Sequence, residues 1–63
     1  MNISKTKMDI LQGERKINNT MLAELSGISR QNISTIKARG TCSPESAVKL
    51  ARGLGVRVEE IME

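Results

Sequence analysis

Apolar positions along the chain recur at helical spacing, broken into short runs by glycine, proline and good capping residues. The first run predicts a helix from about Ser4 to Arg15, with Met8 and Leu11 on one face, Ile3 or Lys7 a turn earlier, and Ile10 widening the stripe. Gly13 weakens that helix by about 0.5–1 kcal/mol relative to alanine. A second helix is expected from Asn19 to Ser26, capped by Asn18 and ended by Gly27. A third begins after Ser29 and runs to about Ala38. Beyond the loop Arg39-Gly40-Thr41-Cys42, Ser43-Pro44-Glu45 is the clearest helix start in the chain. There the serine caps, the proline suits the first helical position and the acid complements the helix dipole. The fourth helix is expected to bury Ala47, Val48, Leu50, Ala51 and Leu54 and to stop at Gly55. A short fifth helix, about Val58 to Met62, carries Val58, Ile61 and Met62, although Arg57 is a poor cap. The pattern is all-α, a compact five-helix domain over residues 1–63.

Helices 2 and 3 stand in the register of a helix-turn-helix, about residues 19–38. Leu22, Ala23, Ser26, Gly27, Ile28, Ile33 and Ile36 supply the small, turning and interlocking positions of that motif. At 100° per residue, Ile33 and Ile36 define the buried direction of the third helix. Gln31, Ser34, Thr35 and Ala38 then point away from the core, with Arg30 and Lys37 on one flank and Asn32 and Arg39 on the other. A helix with this polar, partly small outer face fits a DNA major groove about 12 Å wide. Gln31 has the paired donor and acceptor that match adenine, Arg30 the fork that matches guanine, and Thr35 a methyl for thymine. Ser34 and Ala38 permit close approach. Phosphate contacts are expected from the start of the second helix at Asn19, from Ser29, and from Lys37, Arg39 and Thr41 beside the groove wall.

Composition sharpens this picture. The chain has 63 residues, a net charge of +3 and no aromatic residue, so its core consists of aliphatic and methionine side chains. No acid falls between Leu25 and Pro44, a segment that holds Arg30, Lys37 and Arg39. A one-signed segment over a helix-turn-helix points to a polyanion. One cysteine and no histidine exclude an internal disulfide and argue against a metal site. Histidine, paired carboxylates in an apolar setting and a phosphate-cradling glycine loop are all missing, which argues against an enzyme and against a cofactor. No stretch reads as a signal peptide or membrane span, so a cytoplasmic, nucleoid-associated protein without a small-molecule ligand is expected.

The run Asn19-Thr20-Met21-Leu22-Ala23-Glu24-Leu25-Ser26-Gly27-Ile28-Ser29-Arg30-Gln31-Asn32-Ile33-Ser34-Thr35-Ile36 resembles the helix-turn-helix of the Cro and phage-repressor (XRE-like) family. Leu50-Ala51-Arg52-Gly53-Leu54-Gly55-Val56 and Glu59-Glu60-Ile61 look like the same family's fourth and fifth helices. The resemblance implies a lambda-repressor-like fold, transcriptional regulation in bacteria, their phages or mobile elements, and binding of a homodimer to inverted repeats. It places the base-reading residues at Arg30, Gln31 and Thr35, with Asn32 and Ser34 as additions, and phosphate contacts at Asn19 and after the third helix. Two departures stand out. The family's arginine–glutamate pair between the first and third helices is replaced by Gln12 and Lys37, which leaves Lys37 expected to be free for phosphate. The family's Glu-Asn-Gly after the last isoleucine is replaced by Lys37-Ala38-Arg39-Gly40, in a connection about one residue shorter.

The functional expectation is a sequence-specific regulator of repressor or Cro-like kind that binds double-stranded DNA. The alternative is an interaction module such as an antitoxin or adaptor, since fold alone does not fix function. The polar-to-basic outer face of the third helix favours DNA, because a protein-docking face would be apolar or acidic. A weak homodimer is expected on DNA, since one helix covers too few base pairs to single out a genomic site. Val56, Val58, Ile61 and Met62 are the candidate patch, the alternative being that all four are buried within the monomer.

This reading makes Gly27 intolerant of β-branched residues, because the turn it occupies calls for positive φ or a close approach. Gly27→Val is expected to cost about 1–2 kcal/mol or more, read as a lowered Tm. An unchanged melting curve would mean that the turn is built differently.

Overall fold

The computed structural model describes residues 1–63 and contains four α-helices followed by a single 3-10 turn. The helices are α1 (Lys5–Arg15), α2 (Asn19–Ser26), α3 (Arg30–Arg39) and α4 (Pro44–Leu54), and the turn spans Val58–Glu60. Each α-helix begins in the same way. Ser4, Asn18, Ser29 and Ser43 accept the N–H of Lys7, Met21, Asn32 and Ser46 at 3.2, 2.8, 3.1 and 3.2 Å. These side chains satisfy donors that the first helical turn leaves open. Each helix also ends on a left-handed residue, Lys16, Gly27, Gly40 or Gly55. Gly27 lies at φ +77° with open space around its missing side chain, so positive φ, and not a close approach, is what the turn requires there.

The fifth helix is shorter than its sequence pattern predicts. Arg57 N–H donates to the Glu60 carboxylate at 2.8 Å, and Glu60 and Ile61 N–H close one tight turn on Arg57 and Val58. The chain then leaves helical geometry because its next residues pair with the N-terminal segment. Ser4 N–H donates to Ile61 C=O at 2.8 Å, and Glu63 N–H to Asn2 C=O at 3.1 Å. The same N-terminal residues pair on their other side with the loop after α3. Ile3 N–H donates to Gly40 C=O at 2.8 Å, and Cys42 N–H to Met1 C=O at 3.1 Å. Residues 1–4 thus tie the C-terminal segment to the exit of α3, and Ile3 among them turns its side chain into the core.

Eleven apolar residues form the core: Ile3, Met8, Leu22, Ile28, Ile33, Ile36, Ala47, Leu50, Ala51, Leu54 and Ile61. Two expectations are corrected here and one alternative is resolved. Ile10 does not extend the buried stripe of α1 and is 55% exposed. Val48, expected inside, sits on the outer side of α4 at 39% exposure. Between the two alternatives for the C-terminal residues, Ile61 belongs to the core and is fully buried, while Val56 and Val58 pack partly against it.

The tightest helix contact lies where α2 meets α4. A Cβ placed on Gly53 would stand 3.1 Å from Leu22 Cδ1, 3.1 Å from Ser26 Cβ and 3.2 Å from Ser26 N. Gly53 therefore serves close approach and not unusual φ, and it seats α2 on α4. Gly53→Val is expected to force the two helices apart and cost about 1–3 kcal/mol, the usual range for an overpacked interior. Chemical denaturation checks this, and an unchanged midpoint would mean that the crossing is loose.

Candidate nucleic-acid interface

The turn Ser26-Gly27-Ile28-Ser29 sets α3 across α2. Ser26 Oγ accepts Ile28 N–H at 3.2 Å, Ile28 enters the core, and Ser29 starts α3. Only Ile33 and Ile36 of α3 are buried. Arg30, Gln31, Asn32, Ser34, Thr35, Ala38 and Arg39 are all exposed, so the outer face carries the residues expected on it. Thr35 Oγ1 donates to Gln31 C=O at 3.0 Å. With its proton turned back to the helix, Thr35 has its methyl and its oxygen lone pairs left for an outside partner. Arg30 and Gln31 take part in no side-chain hydrogen bond or ion pair, so neither has to break a contact to meet a ligand.

Around this face lie the groups expected at phosphate. The N–H groups of Asn19 and Thr20 open α2 without a protein partner, since the capping Asn18 reaches only Met21. Ser29 Oγ accepts from Asn32 N–H and keeps its own proton for donation. Arg39 and Thr41 are exposed where the chain leaves α3.

Lys37 is different, and the expectation that it is free is corrected. Its side chain is only 10% exposed. The ammonium donates to Asp9 Oδ1 at 2.9 Å, to Asn19 Oδ1 at 3.2 Å and to Gln12 Oε1. The family-type pair at positions 12 and 37 is indeed gone. A charge bridge between the first and third helices nevertheless persists, because Asp9, one turn before Gln12, supplies the carboxylate. Lys5, Asp9, Asn19, Ser34, Lys37 and Ala38 line a shallow groove of about 310 Å³ beside α3.

A family profile for the Cro/C1-type HTH DNA-binding domain matches residues 7–63. The chain belongs to that family. Comparison with curated proteins and with solved structures gives no significant match. In this Cro/C1-type domain, the match runs from α1 to the C-terminal turn and encloses the helix-turn-helix. No helix is long and apolar enough to cross a membrane.

The sequence reading missed Asp9 and understated Gln12. Gln12 is the only buried polar residue and links three elements. Its one visible signal is its place beside Met8 and Leu11 on the inward side of α1.

The Asp9 carboxyl is held below the ordinary aspartate range, first by the hydrogen bond from Lys5 and then by that from Lys37. A lowered folded-state pKa means that this stabilisation is complete above the ordinary aspartate value, about 3.9, and is lost as pH falls through the lower folded value. Lys37→Met is expected to raise the Asp9 titration midpoint, and Lys5→Met to raise it further, as followed by carboxyl carbon NMR. A midpoint unmoved by both changes would dissolve the bridge.

Proposed function

We propose that this domain is a sequence-specific transcriptional regulator, repressor or Cro-like, of a bacterial, phage or mobile-element operon. The observation that carries the reading is the outer face of α3: exposed, free of acids, and furnished with unengaged Arg30 and Gln31 beside Asn32, Ser34 and Thr35. Two isoleucines hold the helix from behind, so most of its circumference is available to a groove. Arg30 and Gln31 take the base edges that bidentate side chains distinguish, and Thr35 offers its methyl. Asn19, Ser29, Arg39 and Thr41 take phosphate and set register. Lys37 leaves that set, since its ammonium is already held on three sides.

In this reading two copies bind an inverted repeat with half-sites about 34 Å apart. The apolar surface available for pairing is modest. Val56, Val58 and Met62 remain half-buried once Ile61 is assigned to the core. The dimer is therefore weak in free solution and assembles on its operator.

Selection of bound sequences from random duplex DNA tests the proposal, and the expected winners form an inverted repeat. Gln31→Ala and Arg30→Ala should each lose about 1–3 kcal/mol on the winning site and relax the choice at one base pair. Arg39→Ala should weaken all sequences alike and reduce the slope of log K against log[salt] by roughly one. An identical selected motif for both α3 variants would remove the base-reading assignment, and a base preference altered by Arg39→Ala would overturn its assignment to phosphate.

A further inference from the structure

The polar groups around Lys37 form a chain whose direction is fixed at both ends. An ammonium only donates, and a peptide carbonyl only accepts. Gln12 lies between the two. Its Oε1 accepts from Lys37, and its Nε2 donates to Ile17 C=O at 3.1 Å. Turning the Gln12 amide over would set donor against donor and acceptor against acceptor, so its orientation is settled by chemistry. The same Nε2 donates at 3.0 Å to Asn19 Oδ1, which also takes the Lys37 ammonium at 3.2 Å. With two donors on one side, the Asn19 amide has a single orientation, Oδ1 inward.

Its Nδ2 is left over. That atom makes no hydrogen bond to protein, and no buried side-chain nitrogen or oxygen lacks a partner, so Nδ2 is open to solvent. Asn19 opens α2 and lines the groove beside α3. The open amide thus stands with the free N–H groups of Asn19 and Thr20 at the positive end of the helix.

We propose that Gln12 and Lys37 are positioning residues that hold the Asn19 amide with its Nδ2 donor outward, toward a DNA phosphate. The inference rests on the DNA-binding reading and deepens it. Lys37 contributes by orienting a neutral donor and not by touching the phosphate itself, while Asp9 balances its charge.

Gln12→Glu tests this. The new carboxylate still accepts from Lys37 but no longer donates to Asn19. The carboxylate then draws the Asn19 Nδ2 inward at the expense of the longer 3.2 Å bond from Lys37, whose ammonium keeps Asp9 and the new carboxylate, and an acceptor faces the phosphate. Four proteins are titrated with the selected operator: the parent, Gln12→Glu, Asn19→Ala and the double variant. Each single change is expected to weaken binding to all sequences about tenfold, the loss of one hydrogen bond to a charged group. The double variant is expected to bind within about threefold of Asn19→Ala, the residue being the added charge alone. Independent, multiplying losses approaching a hundredfold would overturn the proposal, and so would parental affinity for Gln12→Glu. Should Gln12→Glu melt below the assay temperature, Gln12→Met together with Lys37→Met, which removes both inward donors, completes the same cycle with Asn19→Ala.

A measurement on the free protein separates this proposal from the reading beneath it. The Gln12 side-chain amide protons should exchange slowly and those of Asn19 fast, and the reverse order overturns the orientation. A domain with the expected exchange pattern that binds no duplex overturns the DNA reading instead.

Discussion

The close seat of α2 on α4 is what the rest of this domain depends on. Without aromatic side chains, a chain of 63 residues gains burial only by bringing aliphatic helices near one another. Gly53 allows this, since its bare backbone lies where any side chain would meet Leu22 and Ser26. Leu22 is fully buried as a result, and α2 becomes the platform that carries α3. α3 itself contributes only Ile33 and Ile36 to the core, with Ile28 anchoring its approach. Such slender attachment leaves most of the helix circumference exposed. It also means that the angle of α3 needs support from elsewhere.

Two devices supply that support, both near the C-terminal end of α3. At the exit of α3, residues 1–4 pair with Gly40–Cys42 on one side and with residues 61–63 on the other. On the flank facing α1, Lys37 bonds to Asp9, Gln12 and Asn19, binding the first three helices by charge and amide chemistry. The second device has a dual character. A nearly buried ammonium would be costly alone, and here every polar group it meets is an acceptor. The same arrangement orders the first residue of α2, where backbone donors stand without a protein partner. Under the proposed function, stability and recognition share Lys37, Gln12 and Asn19.

Local chemistry was legible in the sequence. Ser4, Asn18, Ser29 and Ser43 cap through side chains that reach only three residues along, and Gly27, Gly40 and Gly55 end helices by their own backbone freedom, so neither needs knowledge of the fold. The face of α3 was legible for the same reason, because two isoleucines three residues apart define a direction. What escaped depends on residues distant in the chain. Lys37 meets Asp9 across 28 positions, and Lys7 reaches the Met62 carbonyl across 55. Pairing of Ile3 with Met62 removed the end of the expected fifth helix, since strand geometry and helix geometry exclude one another. Val48 shows a different limit: a residue at the edge of an apolar stripe goes in or out according to what the neighbouring helix covers.

The central claim is that the exposed face of α3 and the first turn of α2 together form the DNA-binding surface. Amide chemical-shift mapping with operator duplex addresses it in a single titration. The largest changes are expected at Asn19, Thr20 and Ser29 through Thr35, with a second group from Arg39 to Thr41, while the outer side of α4 around Val48 and Lys49 stays still. Changes centred on the exposed Met21, Leu25 and Val48, with α3 silent, would contradict it.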